Sequence, residues 1–275
     1  MRIALITDIH LKPEGNGVDR FAECLKTVNS LRGKPDLIIQ GGDIVMDALG
    51  ESKARVQAQY DLASGLLDKY NDIPVEHCIG NHDVWGWGHP DASELSDHGL
   101  FGKSWWLDWS GNKKSYRSFD AAGWHFVVLD SISRANKGIY TAKLDEEQHK
   151  WFEADLASVN PATPVCVVSH VPLLSACSAL FGQYEAGGYW HIPGALMHVD
   201  ARRIKDLFVK HPNVRLCLSG HTHLLNKVEY NGVTHFCSGA VCGAWWNGPM
   251  QETKQGFSLI DLYADGNFRT HYREY

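Results

Sequence analysis

The 275 residues, 44% of them apolar, suffice for one large domain or two small ones with a proper core, and the composition carries no sign of disorder. A formal net charge of −6, with no run of Lys or Arg longer than two, excludes the basic footprint of an extended nucleic-acid binder, while small phosphate substrates stay open. No apolar stretch approaches membrane-spanning length, and the chain opens directly on the strand-like Met1 to Ile6 without a charged leader, so a soluble, cytoplasmic protein is expected.

In chain order, five short apolar runs stand out: Ile3 to Ile6, Leu37 to Ile39, Val75 to Ile79, Val165 to Val168 and Val214 to Leu218. They are too short for independent helices and rich in β-branched residues, which predicts buried strands. Between them lie helical stripes. Phe21, Cys24, Leu25, Val28 and Leu31 follow the i, i+3, i+4 spacing, and Val56, Tyr60, Ala63, Leu67 and Tyr70 repeat it. Trp124 to Leu129 predicts a further strand. A third helix should start at Asp145, where Asp145 and Gln148 resemble a capping box, and present Trp151, Phe152, Leu156 and Val159. A fourth, capped by Asp200, shows Ile204, Leu207 and Phe208. Towards the end, Lys227 to Tyr230, Thr234 to Cys237, Phe257 to Tyr263 and Phe268 to Tyr272 read as antiparallel strands, with hairpin turns at Asn231-Gly232 and Asp265-Gly266. No repeat or linker is visible, and both terminal thirds supply polar candidates, so residues 1–275 are expected to form one domain.

Two stretches lack periodicity, Val84 to Tyr116 and Leu173 to His198; long loops of this kind in a compact domain are usually functional. Most of the ten tryptophans fall in loop-like segments and read as loop core or subunit contact. For Trp245-Trp246 an aromatic wall that stacks a base or receives an apolar group is an equal alternative. The seven cysteines form no CxxC spacing and read as small buried hydrophobes in a reducing compartment.

Directly after each of the five runs comes a polar segment: Thr7-Asp8-Ile9-His10, Gly41-Gly42-Asp43, Gly80-Asn81-His82-Asp83, Ser169-His170 and Gly220-His221-Thr222-His223. Open α/β sheets bind ligands beyond the carboxyl ends of their strands, so the five should converge at one sheet edge although more than two hundred positions separate the first from the last. Carboxylates and a carboxamide supply hard oxygen and imidazoles supply borderline nitrogen, with no Cys among them. The mix suits Mn, Fe, Zn or Co better than Ca or an iron–sulfur cluster.

In this order the motifs Asp8-x-His10, Gly42-Asp43, Gly80-Asn81-His82-Asp83, His170 and Gly220-His221-x-His223 resemble the calcineurin-like metallophosphoesterase superfamily. The resemblance implies a four-layer α/β/β/α sandwich with mixed sheets and a binuclear metal site at the strand C-terminal ends. It implies that Asp8, His10 and His223 hold one divalent transition-metal ion, that Asn81, His170 and His221 hold the second, and that Asp43 bridges them. His82 stays outside the metal shell, over the substrate phosphate, where it donates to a phosphoryl oxygen or protonates the leaving group. Asp83 is the candidate to orient His82 or to hold a residue behind the ligands.

Within the superfamily, Asp8-Ile9-His10-Leu11, Leu129-Asp130-Ser131 with Leu144, Gln148 and Trp151, and His170-Val171-Pro172 look similar to the cyclic-nucleotide and glycerophosphodiester phosphodiesterase branch. One departure is that Met46 stands where many members carry an acidic residue, with Asp47 one step later. The expected function is hydrolysis of a small phosphodiester by in-line attack of a metal-bridging hydroxide. A phosphomonoesterase, nucleotidase or nuclease with the same metals is the alternative within enzymes, and a non-catalytic scaffold of the same fold is a reading from another class. The expected partner is a small phosphoester, with no membrane and with self-association left open.

Overall fold

The computed structural model describes residues 1–135 and 139–275. The first sheet takes β1 (Arg2–Ile6), β2 (Leu37–Gln40) and β3 (Val75–His77), in parallel, with α1 (Gly17–Asn29) and α2 (Lys53–Tyr70) as the crossovers. Short helices α3 (Ala92–Leu95) and α4 (Ser104–Ser110) follow. The second sheet is then laid down by β4 (Arg117–Ala121), β5 (Trp124–Leu129), β8 (Val165–Ser169), β11 (Val214–Ser219), β12 (Asn226–Tyr230) and β13 (Val233–Cys237). Interspersed are the hairpin β6 (Ile132–Arg134) and β7 (Tyr140–Ala142), helix α5 (Glu146–Ser158), helix α6 (Cys177–Leu180), the hairpin β9 (Glu185–Ala186) and β10 (Tyr189–Trp190), and helix α7 (Ala201–Lys210). The chain finally returns to the first sheet with β14 (Gly256–Leu262) and β15 (Phe268–Glu274), so that the sheet orders are β15-β14-β1-β2-β3 and β12-β13-β11-β8-β5-β4.

Alternation along the strands builds four layers. Ile3, Leu5, Leu37 and Ile39 of the first sheet meet Phe126, Val128, Cys166, Val168, Leu216 and Leu218 of the second in one buried cluster. Their neighbours point the other way: Ala4, Ile6 and Ile38 pack on Phe21, Leu25, Val56 and Tyr60 of α1 and α2. Val127, Val165 and Val167 likewise pack on Phe152, Leu156, Ile204 and Phe208 of α5 and α7. Strands buried on both faces read as continuous apolar runs, which is why the period-2 signal is invisible in the sequence. The α/β/β/α sandwich with mixed sheets is therefore observed. The predicted single sheet edge is corrected: β1, β2 and β3 belong to one sheet and β8 and β11 to the other, so the polar segments meet across the sandwich.

The two hairpin turns fall where expected. Asn231 and Gly232 both take positive φ, 51° and 76°, as a tight turn between β12 and β13 requires. Two caps differ in detail. Asp145 accepts from the Gln148 N–H at 2.7 Å, but the Gln148 side chain turns away to pair with both backbone groups of Asp130. Asp200 does not cap α7 with its side chain; its carboxylate is taken by the Leu144 N–H and by His149 and His198. All seven cysteines are buried and free. Trp85, Trp105 and Trp106 are interior, so part of the Val84 to Tyr116 stretch supplies core.

His125 on β5 ties the edge of the second sheet to α5, with Nε2 3.0 Å from Asp155 and Nδ1 2.7 Å from Asp120. The Asp155 hydrogen bond, working against burial and aided by Asp120, raises the imidazole above its ordinary value. The folded state thus favours the protonated ring, so this stabilisation is complete below about pH 6.5 and is lost as pH rises through the raised pKa. Urea titrations of the protein and of His125→Gln should differ by roughly 1 kcal/mol at pH 6, allowing for solvent screening on the Asp120 side, and converge by about pH 9. A gap independent of pH would contradict this account.

Candidate metal centre

Three of the five polar segments, those after β1, β2 and β11, leave their strands in an unusual backbone conformation. Asp8, His10, Asp43, His221 and His223 all have φ between 50° and 72°, in the left-handed region. For residues other than glycine this costs roughly 1–2 kcal/mol each and persists only where the surroundings enforce it. The enforcing contacts are visible. The Asp8, Ile9 and His10 N–H groups donate to carbonyls of Gly42 and Asp43, and the Val241 and Cys242 N–H groups donate to Thr7 and Asp8. Gly80 and Gly220 make the close approach feasible: a Cβ on Gly80 would overlap the backbone and carboxylate of Asp43, and one on Gly220 would overlap Thr7 and Asp8.

All seven predicted ligands come together. His10 Nε2 lies 3.2 Å from His223 Nε2 and 3.6 Å from Asp43 Oδ2, and His223 Nε2 is 3.4 Å from Asp8 Oδ1. In the adjoining group His170 Nε2 lies 3.1 Å from the same Asp43 oxygen, 3.2 Å from Asn81 Oδ1 and 3.2 Å from His221 Nδ1. The two groups therefore share Asp43 Oδ2, while Asp43 Oδ1 accepts from the His82 N–H at 2.8 Å.

Proton bookkeeping shows that these residues fit a cation. His170 Nδ1 is 2.8 Å from the Gly41 carbonyl and His223 Nδ1 is 2.6 Å from the Gly243 carbonyl. Each ring spends its N–H on a backbone oxygen and turns a lone pair inwards, the arrangement that orients metal-binding imidazoles. Burial, reinforced by neighbouring His82 and His170, holds His10 and His221 down to about 3, so both are neutral. Lone pairs and carboxylate oxygens thus face one another at about 3 Å in the buried interior, and His221 Nε2 has no hydrogen-bond partner among the described residues. Such a cluster is repulsive unless positive charge sits within it. His170 shows the demand: although burial opposes it, Asp43 lifts its pKa to about 9. Nitrogen donors at about 2.0–2.1 Å and carboxylate oxygens at about 2.0–2.2 Å from a divalent ion would be spaced in this way.

Asp83 has a different place from that of a histidine orienter. Its carboxylate accepts from the N–H groups of Gly80, Asp43, Ile44 and Val45, which pins the loop carrying Asp43 to the loop carrying Asn81. The carboxylate beside His82 is Asp47, with Oδ1 3.6 Å from Nδ1, an ion-pair distance beyond hydrogen-bond range. Asp47 is the residue displaced by one step in the sequence motif, and the shift places it behind His82. His82 itself is near enough to His10 and Asp43 to count as a donor, but its side chain is 28% exposed where His10 and Asp43 are at most 2%. It lines the open side of the cluster.

Sequence reasoning missed Cys242 and Tyr140, which no motif marks. Cys242 Sγ lies 3.9 Å from His223 Nδ1, behind the ring, and the Tyr140 ring stands edge-on to His221 at 6.3 Å. The tryptophan pair divides. Trp246 is buried and donates from Nε1 to the His10 carbonyl at 3.0 Å; Trp245 is exposed, its ring 4.9 Å from that of His223.

Buried nitrogen and oxygen donors at the strand ends of an α/β/β/α sandwich form groups that could hold metal ions, and similarity to known proteins gives the class as a phosphoester hydrolase. The sequence profile of the calcineurin-like phosphoesterases matches residues 1–225, and the chain belongs to that family, whose members use divalent metal ions. It is 25% identical over 282 aligned residues to the 3',5'-cyclic adenosine monophosphate phosphodiesterase CpdA of Escherichia coli, covering 98% of this chain and 88% of that one. It is 24% identical to a probable glycerophosphodiester phosphodiesterase, GpdQ, of Arcobacter nitrofigilis, covering 85% and 76%. Among solved structures a dimetal phosphatase from Danio rerio superposes with a TM-score of 0.66 at 16% identity over 98% of both chains, which supports the fold.

Two substitutions probe the construction. Asp43→Ala should lower bound metal at both donor groups, read as metal per chain by elemental analysis; loss of one equivalent only would show that Asp43 does not join them. Gly80→Ala, which must displace Asp43, should weaken metal retention by roughly 10- to 100-fold against a competing chelator, the range found when groups supporting metal ligands are disturbed.

Proposed function

We propose that this protein is a binuclear phosphodiesterase acting on a small substrate, a cyclic nucleotide or a glycerophosphodiester, with residues 1–275 working as one cytoplasmic catalytic domain. The observation that carries the reading is the pair of buried donor groups joined through one oxygen of Asp43, with the more exposed His82 at their open side. Asp8, His10 and His223 would hold the first ion and Asn81, His170 and His221 the second, with Asp43 bridging. The mixed nitrogen and oxygen donors favour Fe, Mn, Zn or Co. When bound, two such ions would supply an activated water as the nucleophile and charge neutralisation on the phosphoryl oxygens.

The protein's own groups do the rest. Asp83 fixes the register of the Asp43 and Asn81 loops. His82, with Asp47 3.6 Å behind it, would donate a hydrogen bond to a phosphoryl oxygen and pass a proton from its ring to the departing alkoxide. Relatives at about 25% identity are named as cyclic-nucleotide and glycerophosphodiester phosphodiesterases, which supports diesters over monoesters. Retention of every donor argues against a scaffold that has lost its chemistry.

The decisive variant is His82→Ala in metal-reconstituted protein assayed with bis(p-nitrophenyl) phosphate. Turnover should fall by roughly 10²- to 10⁴-fold, as for loss of a general acid, with two metals per chain retained. Metal lost together with activity would make His82 a ligand. If the metal-replete native protein hydrolyses no phosphoester, the reading fails.

A further inference from the structure

We propose that Trp245 is the stacking platform for a nucleobase, so that the site selects nucleotide phosphodiesters over aliphatic ones. This rests on the phosphodiesterase reading above and names its substrate class. Trp245 and Trp246 are consecutive and both adopt positive φ, 48° and 70°, which is exceptional for bulky residues. The interior accounts for only one of them. Trp246 is 8% exposed, donates to the His10 carbonyl and closes against Gly17, where a Cβ would meet the indole at 2.7 Å.

Trp245 is 38% exposed. Its backbone is nevertheless tightly held. The Trp246 N–H donates to Cys242, Ala244 to Gly248, and Cys242 to Asp8, while the Gly243 carbonyl takes the Nδ1 proton of His223. The loop that aims the metal-facing nitrogen of His223 therefore also sets the Trp245 ring, tilted 45° to the imidazole with centroids 4.9 Å apart and 6.1 Å from that of His10. A substrate whose phosphorus lies at the donor groups has its ester substituent within one ring's reach of this indole.

What such a surface recognises follows from its chemistry. It offers an exposed π-face beside the donor groups that the proposed function assigns to the phosphoryl group. A purine or pyrimidine can stack on it whatever its hydrogen-bonding edge, whereas a glycerol substituent has no face to offer. Base–aromatic stacking of this kind supports roughly a 5- to 150-fold gain in affinity.

The test uses the metal-reconstituted protein with Trp245→Ala and Trp245→Phe. By calorimetry the native protein should bind AMP at least about 5-fold more tightly than ribose 5-phosphate. In Trp245→Ala that ratio should collapse towards one with metal content intact, and Trp245→Phe should restore most of it. In turnover, the ratio of kcat/KM for cyclic AMP to that for glycerophosphocholine should fall by a similar factor in Trp245→Ala, chiefly through KM. The proposal is overturned if the native protein shows no AMP preference, if the alanine variant weakens both ligands equally or loses metal, or if phenylalanine performs no better than alanine. A native protein that hydrolyses no diester would remove the functional reading, while the binding ratio would still judge Trp245 by itself.

Discussion

The rest of the structure depends on a concentration of lone pairs. Imidazole nitrogens, carboxylate oxygens and a carboxamide oxygen face one another at about 3 Å in the interior, and the protein has spent its nearby protons elsewhere: His170 and His223 give their Nδ1 protons to backbone carbonyls of Gly41 and Gly243. In a low-dielectric interior such a cluster raises the energy of the fold until a cation neutralises it. Metal affinity and folding free energy are thus two sides of one quantity, because the donors are held together whether or not the charge between them is balanced.

Holding them together falls to the sandwich. Two sheets packed through Leu5, Ile39, Val168 and Leu218 bring the carboxyl ends of β1, β2, β8 and β11 to the same rim, so short loops can carry donors from both sheets into one site. The loops turn within a residue or two of the strand, which is why left-handed backbone is needed at five donors. The strain is distributed among loops that hydrogen-bond to one another. Asp8 illustrates this: its carboxylate accepts the His221 N–H, and its carbonyl accepts that of Cys242, so the first strand's donor is braced by the loop carrying His221 and His223 and by the loop carrying Cys242.

The features legible in the sequence share a physical cause. Buried β-branched runs bounded by Gly, Asp and His announce both a strand and its chemical end, and seven donors with four sandwich layers follow from them and from the family resemblance. Allocation to two sheets was not legible, since β1 and β8 bury both faces and carry the same apolar pattern. Side chains with several available partners were also opaque. Gln148 could complete a capping box or bind Asp130, Asp200 could cap α7 or collect His149 and His198, and Asp83 could face an imidazole or backbone N–H groups. In each case a partner distant in sequence satisfied the buried polar group, and local spacing carries no trace of such a partner.

Trp245 and Trp246 show where local reading and function part company. As a dipeptide they are equivalent, and composition assigns both to core or both to surface. Folding separates them because two adjacent left-handed residues point their side chains in different directions, one into the crevice above Gly17 and one towards the rim beside His223. The buried indole then anchors the exposed one: the Trp246 bond to the His10 carbonyl joins the tryptophan loop to a metal-donor loop. An aromatic surface placed by the same hydrogen bonds that orient His10 and His223 moves only when they move. On the proposed reading, reaction chemistry and substrate recognition would be built on one rigid frame, with the specificity surface supplied by a loop outside the motifs that mark the chemistry.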